Sequence, residues 1–332
     1  MAEDDLLELV REAGAHLARA GPETEGYMAR LEERHEEVHA LVERLLAADP
    51  VAAADVCAEL WSFWWMRGHM TEGRELLERA AASGEGDHAG VLKGLGSIAF
   101  RQGDLEAAER AFEERYALIE PAGPSADLAS ACADLARVAL RRGDFGEVRR
   151  WAERGYEAAE QVDDPGAVRI PLHMRAAAAR MEGSYDEARE LYLRSIELNE
   201  QLGNEIVVAG EHHNLVYVEL HSGNRAEAGR RFALASGWIF ANDNAYMRPY
   251  VFLDAGVLAL HEGDDERAGR LVACADRIFR DTDSIPDPDD YVELENATAT
   301  LRERLGERFD RIWAEGRALG EEEARELALA SG

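Results

Sequence analysis

The sequence predicts an all-α protein, a right-handed α-solenoid of about six helical hairpins with helical caps. Six similar glycine-centred segments recur along the chain, and their glycines are spaced by 35, 40, 40, 40 and 40 residues. An apolar run precedes each glycine, and a run with apolar residues at three- and four-residue spacing follows it, which is the period of an α-helix. No run alternates apolar and polar residues as a half-buried strand does. Equal spacing of paired helical runs is typical of a stack of repeats.

Each glycine marks the turn inside a predicted hairpin. The six turn glycines are Gly68, Gly103, Gly143, Gly183, Gly223 and Gly263. Glycine readily adopts the left-handed conformation that ends a helix. A residue able to cap the next helix follows in five hairpins: Asp104, Asp144, Ser184, Asn224 and Asp264. A glutamate three positions after the cap predicts a capping box in three of them: Glu147, Glu187 and Glu227.

The segment ahead of the hairpins, residues 1–50, reads as an acidic helical lead-in. Gly21-Pro22 is expected to separate two helices there, and Asp49-Pro50 to end the second. The six hairpins then occupy residues 51–283. The first of them contains four aromatics within five residues, which cannot all share one helix face, so most are expected in the core: Trp61, Phe63, Trp64 and Trp65.

The last part of the chain, residues 284–332, reads as a helical cap that shields the apolar face of the last repeat. The stretch Asp281–Asp290, DTDSIPDPDD, joins it to the repeats. Its proline and aspartate content predicts a solvated loop. It lacks the glycine and the terminal glutamate of a calcium-binding loop.

Composition limits the classes of function. The 332 residues include 37 Lys+Arg and 67 Asp+Glu, a formal charge of −30. Such acidity repels phosphate groups, so direct nucleic-acid binding and binding to an anionic membrane are not expected. No apolar run is long enough for a membrane helix, and the acidic amino terminus is unlike a signal peptide. Three widely separated cysteines indicate neither a disulfide framework nor a zinc site, which favours the cytoplasm.

Two repeat units carry a complete set of small and aromatic residues at fixed positions around the turn glycine. These sets are Gly96, Gly103, Ala108 and Phe112, and Ala176, Gly183, Ala188 and Tyr192. In this pattern the unit resembles the tetratricopeptide repeat. The third and sixth units depart from it, with Ala152 and Val272 at the aromatic position, and the 40-residue period exceeds the usual ~34.

Three separated segments carry a second resemblance. They are LEERHEEVHALVERLL, LWSFWWMRGHMTEGRELLERA and RIWAEGRALGEEEARELAL. In this order they are similar to the helical sensor half of large bacterial ATPase-type transcription regulators. The chain has no GxxxxGK[ST] phosphate loop and no evident basic recognition helix. The resemblance therefore implies a sensing scaffold without the ATPase and DNA-binding domains.

The tetratricopeptide resemblance implies a concave groove lined by the first helix of each hairpin, at positions two, three, six, ten and thirteen residues before the turn glycine. Nine of the selected positions are basic or histidine: Lys93, Arg101, Arg137, Arg141, His173, Arg180, His213, His221 and His261. One is acidic, Asp55, and four are aromatic: Trp65, Phe100, Tyr217 and Tyr250. Basic side chains on an acidic background favour an anionic ligand. The alternative is that these arginines pair with acids on neighbouring helices.

Motifs for catalysis and metal binding are absent from the sequence. No HExxH, GxSxG or Gly-rich phosphate loop occurs, and no metal or cofactor is expected. Adjacent His212 and His213 point apart on a helix, whereas Glu211, His213 and Tyr217 lie within two turns and could perform acid–base chemistry.

The leading hypothesis is a cytoplasmic module that binds an anionic small molecule or an acidic peptide or protein partner, in regulation. An enzyme of secondary metabolism that reuses the same pocket is the rival, and a structural partner of a separately encoded ATPase is the third possibility. The sequence does not specify the oligomeric state.

Overall fold

The protein is all-α in a computed structural model that describes residues 2–17, 24–162, 165–282 and 285–330. It divides into two compact units, residues 1–123 and 124–332. The first unit contains α1 (Ala2–Leu17), α2 (Thr24–Glu33), α3 (His35–Ala48), α4 (Pro50–Arg67), α5 (Met70–Ala81), α6 (His88–Arg101) and α7 (Leu105–Ile119). The repeat helices of the second unit are α8 (Ala126–Arg141), α9 (Phe145–Glu160), α10 (Arg169–Met181), α11 (Tyr185–Gln201), α12 (Glu205–His221), α13 (Arg225–Ala241), α14 (Arg248–Glu262) and α15 (Asp265–Asp281). Its remaining helices are α16 (Pro288–Leu305), α17 (Phe309–Ala318) and α18 (Glu321–Leu329).

Six helical hairpins, from α4–α5 to α14–α15, confirm the predicted repeat. Every predicted turn glycine has a positive φ, from 72° at Gly143 to 88° at Gly263. In the second hairpin the Asp104 amide donates a hydrogen bond to the Ala99 carbonyl at 2.9 Å, as in a Schellman motif. This bond satisfies one of the last carbonyl groups of α6. The glycines therefore end the first helix of each hairpin as the spacing predicts.

Helix capping is only partly as predicted. The aspartates cap their helices: Asp104, Asp144 and Asp264 each accept a backbone N–H three residues later at 3.1 Å. The side chains of Ser184 and Asn224 make no cap hydrogen bond. The predicted capping-box glutamates instead contact arginines: Glu147 pairs with Arg150, Glu187 with Arg149, and Glu227 with Arg230 and Arg231. The arginine-rich second helices thus compete for these carboxylates.

The lead-in of the first unit differs from the two predicted helices. The stretch after residue 23 forms two helices, α2 and α3, because the chain turns at Arg34, whose φ is −114°. Asp49 accepts the Ala52 amide at 3.1 Å and begins α4, in agreement with the predicted Asp49-Pro50 boundary. The predicted Gly21-Pro22 break lies outside the described residues. The boundaries proposed at residues 50 and 283 remain a prediction.

Close helix packing explains the small residues of the repeat. A Cβ on Gly96 would lie 2.4 Å from Cε1 of Phe112, so α6 and α7 approach only because this position lacks a side chain. In the last hairpin a Cβ on Gly256 would lie 2.7 Å from Cγ2 of Val272. Of the four clustered aromatics, Phe63 and Trp64 are fully buried, while Trp61 and Trp65 are half-buried and stack on each other.

The C-terminal helices correct one prediction. The acidic stretch Asp281–Asp290 is not a solvated loop throughout, because α16 begins at Pro288 and the residues Asp289 and Asp290 are buried. Residues 283 and 284 lie outside the described part. Beyond α16, α17 packs closely on α15: a Cβ on Gly316 would lie 2.3 Å from the Arg270 carbonyl oxygen. None of the described helices is long and apolar enough to span a bilayer.

Candidate binding groove

Basic side chains on successive first helices of the second unit, at positions of the predicted groove, contact one acidic segment. The groove residues are Arg137 and Arg141 on α8, His173 and Arg180 on α10, and His213 and His221 on α12. The turn glycines set this alignment, because a 40-residue repeat returns the same helix position to the same face. The first turn and a half of α16 lies against these residues and brings four acidic side chains to them: Asp287, Asp289, Asp290 and Glu293.

Arg180 is the centre of this contact. Its side chain is 1% exposed, and Nη1 donates to Asp289 Oδ2 at 2.9 Å. Nη2 lies 3.3 Å from Asp290 Oδ1 and 3.4 Å from Glu293 Oε1. The guanidinium also lies over the Tyr217 ring, 4.4 Å from its centroid. One buried cation therefore binds three carboxylates of α16 and a π face, which a planar guanidinium is suited to do.

His213 is held by a carboxylate at each ring nitrogen. Nδ1 lies 2.8 Å from Asp254 Oδ1, and Nε2 lies 3.1 Å from Asp290 Oδ2. Burial lowers the pKa of His213, but the two carboxylates outweigh it and raise the pKa well above the ordinary value. The ring therefore lies between two carboxylates, with a hydrogen bond to Asp254 at Nδ1 and an ion-pair contact to Asp290 at Nε2.

His173 and Glu211 form a second pair at the edge of the groove. His173 Nδ1 lies 3.0 Å from Glu211 Oε2, and Ser195 Oγ donates to Glu211 Oε1 at 2.6 Å. Burial lowers the pKa of His173, but the Glu211 charge outweighs it and raises the pKa to about 9. Burial raises the pKa of Glu211, but His173 and the hydrogen bonds lower it below the ordinary value. Glu211 thus pairs with His173, whereas the His213 ring packs edge-on against the Tyr217 ring with 5.5 Å between centroids. The acid–base chemistry suggested for Glu211, His213 and Tyr217 stays a prediction.

The remaining groove cations contact the same acidic segment. His221 Nε2 lies 2.9 Å from Glu293 Oε1. Arg137 Nη2 lies 3.7 Å from Asp287 Oδ1. Arg141 Nη2 donates to the backbone carbonyl of Pro286 at 2.6 Å, and its guanidinium lies 5.8 Å from the centroid of the Tyr291 ring. In the structure these cations therefore contact acidic residues of the chain itself, which is the alternative that the sequence left open.

A cavity of about 240 Å³ remains beside the docked segment. Its polar side is formed by His173, His213 and the first residues of α16, and its apolar side by Met247, Tyr246 and Tyr250. Tyr250 is 1% exposed, yet its hydroxyl reaches to 3.5 Å from Asp287 Oδ2. The cavity thus has a polar wall and an apolar wall beside the acidic segment.

The other predicted site residues lie elsewhere. Trp65, Lys93, Phe100 and Arg101 belong to the first unit, where the Arg101 guanidinium lies 5.8 Å from the Trp65 ring centroid. Phe100 and Tyr217 are fully buried, so neither side chain offers a surface to a ligand in this conformation. His261 on α14 lines a different cavity, described below.

Sequence reasoning missed the acids that complete the site. Asp254 is the one acid in the apolar run PYVFLDAGVLAL, and it lies one position from a residue that the groove mapping selects. The first of the α16 acids stand in the proline-containing stretch Asp281–Asp290, which the sequence predicts to be a solvated loop. Their density next to a basic groove was the available signal. By contrast His212 points away from His213, as expected, and its Nδ1 lies 3.4 Å from Arg231 Nη1.

Comparison with solved structures identifies the fold. A tetratricopeptide repeat protein from Parabacteroides merdae ATCC 43184 matches with 14% identity over 87% of this chain and 97% of that chain, at a TM-score of 0.53. A Rap protein complexed with Competence and Sporulation Factor matches with 13% identity over 98% and 96%, at a TM-score of 0.60. The apo form of RapI matches with 11% identity over 99% and 97%, at a TM-score of 0.52.

These similarities establish a helical-repeat solenoid of the tetratricopeptide type. At such low identity they describe the fold alone. The tetratricopeptide resemblance of the sequence is confirmed at that level. No family model matches the chain, and no curated protein sequence matches it either.

Proposed function

We propose that this protein is a helical-repeat binding module whose groove takes an acidic segment of a peptide or protein partner. The observation that carries the proposal is the docking of Asp289, Asp290 and Glu293 on Arg180. The groove thus has the hydrogen-bond donors and the shape to bind carboxylates in the first turns of a helix. A partner with similar acidic residues would compete with the α16 segment for the same cations.

The regulatory character of the proposal has two sources of support. The sequence resembles the sensor half of ATPase-type transcription regulators, and a solved neighbour of the same fold is a Rap protein complexed with Competence and Sporulation Factor. If a partner displaces the acidic α16 segment from the groove, the protein has two states, one with the segment bound and one with it released. Partner binding can therefore change which surface of the protein is exposed. An anionic small molecule of carboxylate type would use the same cations.

Titration with a peptide copying residues 285–295, IPDPDDYVELE, tests the proposal by calorimetry. The double variant Asp289→Asn/Asp290→Asn weakens the internal competitor, so we expect it to bind the peptide at least tenfold more tightly than the wild type does. Asp276→Asn, which removes a half-buried carboxylate paired with the exposed Arg280, is the matched control and should bind like the wild type. A peptide with asparagine in place of each aspartate should bind neither the wild type nor the double variant.

A second comparison locates the site. Arg141→Ala removes a charge-assisted contact in the groove, and such contacts contribute roughly 1.5–3 kcal/mol, so binding should weaken by about one to two decades. Arg149, which pairs with Glu182 on the outer face, is the control, and Arg149→Ala should change little. Equal losses for both variants, or no gain for the double aspartate variant when circular dichroism shows it folded, would overturn the proposal.

A further inference from the structure

A second cavity lies between α13 and α14, apart from the groove. Its volume is about 400 Å³, and its wall is largely apolar, with Phe232, Ala255 and Leu258 among its residues. Two of its positions on α13 are glycines, Gly229 and Gly237, where a Cβ would meet no atom within 4 Å. Eight helical residues separate them, a length of about 12 Å. The cavity is therefore an apolar trough beside α13, with open space where this helix carries Gly229 and Gly237 in place of larger residues.

One end of the trough is basic. Arg225, Arg267 and Glu262 lie there together. Arg267 has its charge balanced by Glu262 at 3.6 Å and donates to two backbone carbonyls of α18. Arg225 makes no hydrogen bond or ion pair with any residue that the structure describes. In a protein of net charge −30, an arginine that pairs with no carboxylate of the described residues, at the mouth of an apolar cavity, is a position for an external anion.

Two further features of this end favour an anion. α13 begins at Arg225, and its preceding residue Asn224 does not cap the helix with its side chain, so the positive end of the helix dipole lies at Arg225. His261 also lines the mouth. Burial, together with the nearby His221, lowers the pKa of His261, so it serves as a neutral hydrogen-bonding group beside the charge of Arg225.

We propose that this cavity binds a medium-chain carboxylate, a fatty acid with its head at Arg225 and its chain along Phe232 and Leu258. The geometry fits a ligand with one anionic end and an unbranched apolar body. Pockets of this kind typically combine an apolar wall with a few convergent polar groups. The proposal is independent of the groove, which shares neither the trough glycines nor Arg225.

Calorimetric titration with decanoate, below its micelle concentration, tests the proposal. Decanoate should bind the wild type, and octanoate should bind roughly tenfold more weakly because it buries two fewer methylenes. Gly229→Leu places a side chain in the trough and should weaken decanoate binding at least tenfold. Arg225→Gln should weaken it by several-fold while leaving decanol unaffected.

Gly26→Leu is the matched control, because Gly26 is an exposed glycine of α2 with no atom within 4 Å of a Cβ. It should bind decanoate like the wild type. Neither leucine variant should melt below the wild type, since leucine favours a helix more than glycine does. The proposal is wrong if decanoate does not bind, if decylamine binds equally well, or if Gly229→Leu leaves decanoate binding unchanged.

Discussion

At the scale of single residues, Arg180 shows how the groove cations are used. Its guanidinium is almost completely buried and is shared by three carboxylates of α16. Taking such a charge out of water costs several kcal/mol, and only close partners with good geometry offset that cost. Burial and the neighbouring Asp290 raise the pKa of Asp289 above its ordinary value, whereas His213 and Arg180 outweigh burial and lower the pKa of Asp290. The two adjacent aspartates are thus held differently by the same groove.

His173 makes the stability of the protein depend on pH. Its pKa rises from 6.5 to about 9 in the folded protein, because the Glu211 charge outweighs burial, with Asp289 and Asp287 adding to it. The stabilisation from this histidine is complete below its unfolded pKa and is lost as pH rises through about 9. We therefore expect the free energy of unfolding to fall between pH 6.5 and 9.5, and to fall less in His173→Gln. Urea unfolding at several pH values measures this.

The control for this experiment is His88→Gln, whose histidine pairs with an exposed Glu114 in the first unit. That variant should keep the wild-type slope between pH 6.5 and 9.5. A His173→Gln protein that loses as much stability as the wild type over this interval would show that the His173–Glu211 pair does not carry the effect.

At the scale of elements, the second hairpin depends on one aromatic residue packed against a small one. Phe112 is 1% exposed on α7 and lies against Gly96 of α6. Emptying a buried phenylalanine site costs roughly 3–5 kcal/mol, so Phe112→Ala should lower the free energy of unfolding by about that amount. Denaturant unfolding followed by far-ultraviolet circular dichroism checks it. Leu118→Ala on the same helix, at a residue 51% exposed, should cost much less, and equal costs would contradict the assignment of Phe112 to the core.

The helical hairpins could be predicted because their signals are local. A turn glycine, a capping residue and an apolar period of 3.6 all act within one or two helices. Gly143 and Asp144, for example, end α8 and begin α9 as the sequence predicts. Ser184 does not cap its helix, since side-chain capping is one of several ways to satisfy the first N–H groups.

The occupation of the groove could not be predicted in the same way. Arg180 and Asp289 are 109 residues apart, and no local pattern joins them. The acids Asp287, Asp289 and Asp290 stand in a stretch with two prolines, Pro286 and Pro288, and have the composition of a solvated loop. The mapping of groove positions selected Arg180, His213 and His221, and all three contact the acidic segment in the structure. The mapping did not select the acidic residues that pair with these cations.

At the scale of the whole molecule, the excess of acidic groups opposes folding. The 67 acids and 37 bases leave a charge of −30, which repels itself most strongly in the compact state. Raising NaCl from ~20 to ~300 mM shortens the screening length from roughly 20 to 6 Å, so the melting temperature should rise. Thermal unfolding at several NaCl and KCl concentrations measures this. A melting temperature that falls with either salt would mean that surface ion pairs outweigh the net repulsion.

The span of the α16 contacts has a consequence for how this protein can change during evolution. Solenoids commonly gain or lose whole repeats, because each repeat touches only its neighbours. Here Arg141 contacts Pro286 across 145 residues, and His221 contacts Glu293 across 72. Duplicating or deleting the hairpin α14–α15, which lies between these partners, would displace the acids by one repeat and leave buried arginine and histidine charges without carboxylates. We therefore expect related sequences with this acidic segment to keep the same repeat number between Arg180 and Asp289, and to vary in length elsewhere.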